Sequence, residues 1–123
     1  MFLDTLPYNA HTTANDALWA GLPLVSCLGK AFAGRVAASL LYAIGLPELV
    51  TENLEEYEAL ALKLARDASL VHLLRDKLKQ NRLTHPLFDA ERFRRSIEAA
   101  YKRMWEISQR GEAPENFSVD PHI

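Results

Sequence analysis

Apolar positions are arranged in two styles along the chain. Up to about residue 50 they come in short continuous runs; beyond it they recur at helical spacing. Phe2-Leu3-Asp4 reads as the end of a strand. Leu22 to Leu28 is a compact apolar run between Gly21 and Gly29, which predicts a buried strand. Between them, Thr13 to Ala20 reads as a helix. Gly21 takes its C′ position and Pro23 blocks continuation. Strand, helix and strand joined by short loops predict a βαβ unit, hence a parallel pair with a right-handed crossover. Gly29 opens a second strand-to-helix turn. Phe32, Val36, Leu40 and Ile44 then stand four apart and predict a helix over 32–44, ended by Gly45 and Pro47. Leu49-Val50 reads as another very short strand.

Three amphipathic helices follow. Leu54 to Arg66 aligns Leu54, Tyr57, Ala61 and Leu64; Ser69 to Gln80 aligns Leu70, Leu74 and Leu78. Asp89 is the expected N-cap of the last helix. That helix shows Phe93, Ile97, Ala100, Tyr101, Met104 and Trp105 on one face, the strongest periodicity in the chain. It ends near Arg110-Gly111. These elements assign residues 1–111 to one lobe and 112–123, where His122 is expected to be solvated, to a flexible tail. Trp19 and Trp105 are expected to pack between elements. A sheet of two or three short strands is marginal and leaves an edge strand open. The chain is therefore expected to be the end of a larger parallel-sheet domain, and to form a homodimer when isolated.

Charge sharpens the division. Residues 1–50 carry only Lys30, Arg35, Asp4, Asp16 and Glu48; all other charges lie beyond. The first part thus reads as buried strands with their packed helices. Fourteen basic and sixteen acidic residues give a net charge of −2, which argues against a nucleic-acid binder. Arg92, Arg94, Arg95, Lys102 and Arg103 alternate with Glu91, Glu98 and Glu106, the pattern of a solvated face with pairs such as Glu98–Lys102. No apolar run reaches the roughly 18 residues of a membrane span. Cys27 is the only cysteine and sits in the apolar run as a small hydrophobe, so the simplest setting is cytoplasmic. His72 and His85 have no ligand partner at metal-binding spacing, and no metal is expected.

The candidate chemistry lies at the start of the first helix. Thr12 or Thr13 is the natural N-cap, and Asp16, three residues after Thr13, approximates a capping box. Such a start exposes unpaired N–H groups and the positive end of the helix dipole. With two hydroxyls beside it, that corner suits a phosphate. His11 offers a further donor, and Asp16 an acceptor for a pair of sugar hydroxyls. Arg35 is placed to pair with Asp4 or Asp16.

The stretch Leu3-Asp4-Thr5-Leu6-Pro7-Tyr8-Asn9, then His11-Thr12-Thr13, Asp16, Leu18-Trp19-Ala20-Gly21 and Pro23, resembles the C-terminal catalytic lobe of the O-linked N-acetylglucosamine transferases and the related SPINDLY proteins. The likeness continues through Phe32-Ala33, Arg35-Val36-Ala37-Ala38-Ser39, Gly45-Leu46, Glu48-Leu49, Tyr57, Ala61, Pro86-Leu87-Phe88-Asp89, Tyr101 and Met104-Trp105-Glu106. It covers roughly residues 2–111. It departs at Leu28-Gly29-Lys30-Ala31, where the family has Pro-Gly-Glu-Thr, and at Gly34, where the family has Ser. Lys30 reverses a charge in a loop facing the donor, which bears on donor affinity and sugar choice.

The resemblance implies an α/β fold: the C-terminal part of a Rossmann-like lobe in a two-lobed, B-type glycosyltransferase, with short parallel strands and then a helical region. It implies that His11, Thr12 and Thr13 hold a diphosphate and Asp16 the ribose. The donor would be UDP-GlcNAc and the acceptor a protein Ser or Thr, with no metal and with inversion at the sugar carbon. The residues that grip the base, a phosphate-contacting lysine, the other lobe with its proposed catalytic histidine and the tetratricopeptide repeats would lie upstream, so the isolated chain is expected to be inactive. Two other readings stay open: a SPINDLY-like O-fucosyltransferase using GDP-fucose, and a non-catalytic interaction module.

Overall fold

The computed structural model describes residues 1–120. His122 and the end of the expected tail lie outside the described residues. The chain divides into two compact units, Met1–Phe88 and a second beginning at Asp89, so a boundary falls inside the stretch 1–111.

The first unit is α/β. Strands β1 (Phe2–Leu3), β2 (Leu24–Cys27) and β3 (Val50–Thr51) form a parallel sheet in the order β1-β2-β3. Phe2 lies opposite Leu24 and Ser26 opposite Val50. Helix α1 (Thr12–Trp19) connects β1 to β2, and α2 (Val36–Ala43) connects β2 to β3. Successive side chains of a strand point to opposite faces, and all four of β2 are buried, so both faces of the central strand are covered. Helices α1 and α2 pack on β2 and on each other. Helix α3 (Leu54–Arg66) packs on β2 and β3, and α4 (Ala68–Asn81) packs on α3. The core joins Leu18, Leu24, Val25, Leu41, Ile44 and Leu78, each fully buried, with Leu64 and Leu74 from the later helices. Each fully buried leucine contributes about 1.5–3 kcal/mol.

The short elements differ from their expected bounds for local reasons. The ladder extends past β2 at both ends, through Phe2 N–H to the Pro23 carbonyl and Leu28 N–H to that of Thr51, but only Leu24–Cys27 is regular strand. The stretch expected as one helix over 32–44 opens with a 3₁₀ turn, Phe32–Gly34, and becomes α-helical only at Val36. The Gly34 carbonyl is the reason: it accepts from Gly29 N–H at 2.7 Å and so closes the loop instead of starting the helix. Strand β3 begins at Val50 because Leu49 ends a 3₁₀ turn that Pro47 starts. Asn53 caps α3, accepting from Glu56 N–H at 2.9 Å, and Asp67 caps α4, accepting from Leu70 N–H at 3.0 Å. Trp19 packs between elements only in part: its ring meets Phe88 at 5.0 Å and lies under the Arg82 guanidinium, yet the residue is 56% exposed.

The second unit is helix α5 (Ala90–Gln109) with the segment after it. Asp89 caps it as expected, accepting from Arg92 N–H at 2.9 Å. Its apolar face is largely uncovered: Phe93, Tyr101, Met104 and Trp105 are exposed and only Ile107 is buried. Within this unit Trp105 is not buried. Glu98 pairs with Arg94 at 2.6 Å rather than with Lys102; Arg94 also bonds Glu91, and these two carboxylates raise its pKa further. Residues 112–120 contain no helix or strand but are tied to α5. Arg103 donates to Glu115 at 3.3 Å and stands over the Phe117 ring.

Among the described residues, no helix is long and apolar enough to cross a membrane, and no three His, Cys, Asp or Glu side chains converge as a metal site.

Candidate functional site

In a parallel sheet, ligands bind in the crevice beyond the carboxyl ends of the strands. Two loops leave that edge here: 4–11 after β1 and 28–35 after β2. They are joined at the Ala33 carbonyl, which accepts from Asn9 N–H at 2.8 Å and lies 3.4 Å from His11 Nε2. Gly34 makes the approach possible, since a Cβ there would stand 2.9 Å from the Pro7 carbonyl oxygen and 3.2 Å from Gly29 Cα.

His11 is the N-cap residue of α1, with φ −104° and ψ −83°, and no side chain caps the helix. Neither Thr12 nor Thr13 is the cap, correcting that expectation; they are the first two residues of α1. Among the described residues, the N–H groups of Thr12, Thr13 and Ala14 have no acceptor, and the first bond of the helix runs from Asn15 N–H to the His11 carbonyl at 3.1 Å. Both threonine hydroxyls are likewise free, and both residues are exposed. Ala14 is buried, so the donors open at this positive end of the helix are those of Thr12 and Thr13. Asp16 is the fifth residue of α1 rather than part of its first turn. It is exposed, one turn along from Thr12 on the same helix face, with no partner for its carboxylate among the described residues.

Aromatic rings border the corner. Tyr8 stacks on the His11 ring at 4.8 Å, and Phe32 meets it edge-on at 6.4 Å. Phe32 leads into a groove of about 520 Å³ lined by Leu28, Arg35, Val36, Ser39 and Tyr42. Arg35 pairs with neither Asp4 nor Asp16. It donates instead to the Gly29 carbonyl at 2.9 Å, bracing the loop from which it emerges.

Beneath the corner lies a polar network that the reading of the sequence missed. Asp4, Asn9 and Ser26 are all buried. Asp4 accepts from the Ser26 hydroxyl at 2.5 Å, and its carbonyl accepts from the Tyr57 hydroxyl at 2.8 Å. Burial pushes the Tyr57 phenol above its usual pKa, and the charges of Asp4 and Cys27 add to that shift. The available signal was a serine in the middle of an apolar strand run, where a hydroxyl requires a partner.

A profile described as glycosyl transferase family 41 matches residues 1–97. The Arabidopsis thaliana protein named probable UDP-N-acetylglucosamine–peptide N-acetylglucosaminyltransferase SEC is 40% identical over 120 residues, covering 97% of this chain and 12% of that protein. The Hordeum vulgare protein of the same description named SPINDLY is 40% identical over 112 residues, covering 91% of this chain and 12% of its own length. A mutant of Thermobaculum terrenum O-GlcNAc transferase superposes with a TM-score of 0.71 at 42% identity, over 84% of this chain and 20% of that one. The chain thus spans about a tenth of the length of the curated relatives it matches.

Proposed function

Because this chain belongs to glycosyl transferase family 41, we propose that it is the part of a catalytic lobe that holds the diphosphate and ribose of UDP-GlcNAc during transfer of the sugar to a protein hydroxyl. The observation that carries this reading is the pair of unused N–H groups on the exposed residues Thr12 and Thr13, at the carboxyl edge of a parallel sheet. In the reaction, the oxygen of a Ser or Thr hydroxyl attacks the anomeric carbon, and the bond from that carbon to the β-phosphate oxygen breaks with its electron pair going to the phosphate. Negative charge develops on the departing diphosphate, where fixed donors stabilise the transition state most. The helix N–H groups, the Thr12 and Thr13 hydroxyls and His11 supply those donors. Asp16 accepts from the ribose hydroxyls. The base that takes the acceptor's proton, the other lobe and the protein-acceptor site belong to the remainder of the family architecture, so the chain alone transfers no sugar. The names of the SEC and SPINDLY relatives, both UDP-N-acetylglucosamine–peptide N-acetylglucosaminyltransferases, support UDP-GlcNAc over GDP-fucose as the donor. The free edge of β1, with Leu3 half exposed, supports pairing with a further strand or, for the isolated chain, with a second copy. The buried Cys27 thiol is compatible with the cytoplasmic setting this reading assumes.

Titration of the ¹⁵N-labelled chain with UDP, followed by amide NMR, tests the site. Saturable shifts are expected at Thr12, Thr13, Ala14 and Asp16. Shifts confined to other surfaces, or none, overturn the assignment, and a clear preference for GDP moves it to the fucosyl donor.

A further inference from the structure

We propose that Asp4 is a positioning residue for the diphosphate corner; the inference rests on the function proposed above. Asp4 is 6% exposed, an unusual place for a carboxylate. Its Oδ1 accepts two backbone N–H groups, from Thr5 at 2.8 Å and from Ala10 at 2.7 Å. These groups stand at the two ends of the loop that links β1 to α1, so one oxygen ties the loop shut. Its Oδ2 accepts from the Ser26 hydroxyl at 2.5 Å, which fastens the loop to the centre of β2. Its own N–H donates to the Val25 carbonyl at 3.0 Å, and its carbonyl receives Tyr57 from α3. Ala10 directly precedes His11, so the point where Asp4 holds Ala10 is the point from which α1 departs. The free N–H groups of Thr12 to Ala14 take their direction from it. Hydrogen bonds to an ionised carboxylate are short and strong, which suits a group that must hold a loop against the pull of a charged ligand.

A negative charge buried near an anion site opposes binding, so the placement needs a geometric reason. Three donors converging on one side chain provide it. Geometry and charge separate in Asp4→Asn: the amide oxygen still accepts both backbone N–H groups, and the amide nitrogen donates to the Ser26 oxygen. Asp4→Ala leaves two loop N–H groups and a hydroxyl without their acceptor.

The test is the UDP titration on the whole chain, run well below the melting temperature of each variant. Asp4→Ala is expected to weaken UDP binding by about tenfold or more, and Asp4→Asn to stay within about threefold of the parent, where tenfold corresponds to about 1.4 kcal/mol. Ser26→Ala, which leaves the loop N–H groups bonded and lets Asp4 drift, is expected to fold and to bind about threefold or more weakly, with displaced amide signals at Ala10 and Thr12. It decides the matter if Asp4→Ala does not fold. A purely structural Asp4 would lower melting temperatures while folded variants kept the parent's affinity. That result, or an Asp4→Asn variant as impaired as Asp4→Ala, overturns the proposal. A parent chain showing no UDP shifts at Thr12 to Ala14 overturns the function itself, a failure distinguishable from loss in the variants alone.

Discussion

His11 aims its Nε2 at the carbonyl oxygen of Ala33, 3.4 Å away and on the far loop of the site. Asn9 donates to the same oxygen at 2.8 Å. The carbonyl therefore binds the loop after β1 to the loop after β2, and with Nε2–H donating to it, His11 Nδ1 can donate to a phosphate only when both ring nitrogens carry a proton.

That junction depends on Gly34, whose missing side chain lets the Pro7 carbonyl approach. Gly34→Ala forces the two loops apart, because the atoms its Cβ meets are backbone and cannot rotate away. The expected cost is about 1–3 kcal/mol, the usual range for overpacking, with weaker UDP binding as Ala33 moves. Urea denaturation read beside the NMR titration checks both.

Gly45 makes a second close approach far from the site. Its φ is +74°, and a Cβ there would land on the His85 ring and stand 2.8 Å from Asn81 Nδ2. That amide nitrogen donates to the Ile44 carbonyl at 2.8 Å, closing the end of α2. Gly45→Ala combines left-handed strain with overpacking and is expected to destabilise the fold by about 2–4 kcal/mol. UDP affinity measured on the folded fraction should not change.

These two glycines show where the sequence is informative. Gly45 is legible because a glycine and Pro47 after an apolar helical stripe end a helix by local chemistry. Gly34 is not, because its role depends on Pro7, on another loop. The same division holds throughout. Helices α3 to α5 follow from their periodicity, and the exposed hydroxyls at the start of α1 from its run of short polar residues. The cap of α1 does not follow, since it turns on the backbone angles of His11 rather than on which threonine is nearby. Strands of two residues are too short to show a period. The Asp4–Ser26 bond spans 22 positions of sequence and no local rule predicts it. Periodicity identified the apolar face of α5, but whether a face is covered is a property of its neighbours, and Trp105 is exposed.

Tyr57 gives the fold a pH dependence of known sign. Burial and the Asp4 charge raise its pKa above the ordinary 10.0. The folded state thus keeps the phenol proton to higher pH than the unfolded chain does. Its contribution is fully present below about pH 10 and is lost as pH rises from there through the folded value. Tyr57→Phe is expected to lower stability by about 1 kcal/mol at neutral pH, the worth of a typical hydrogen bond. It should also flatten the alkaline decline. Urea midpoints for parent and variant between neutral and strongly alkaline pH measure the difference.

Asp16 separates binding from folding most cleanly. It is exposed, its carboxylate has no partner among the described residues, and it stands as the fifth residue of α1. Helix-dipole stabilisation falls off within the first turn, so little fold energy rests on this charge. Asp16→Ala is expected to change stability by less than about 0.5 kcal/mol, as for other surface substitutions. If the carboxylate accepts the ribose hydroxyls, its removal takes a charge-assisted hydrogen bond, worth about 1.5–3 kcal/mol, from the complex alone. UDP affinity should then fall by about tenfold or more, while inorganic pyrophosphate, which lacks a ribose, should bind as before. Thr13→Ala should show a different pattern, weakening both ligands together, because its hydroxyl is assigned to phosphate. An Asp16→Ala chain that binds UDP within about twofold of the parent removes the ribose role. Equal weakening of UDP and pyrophosphate would move Asp16 from the ribose to the shape of the corner itself.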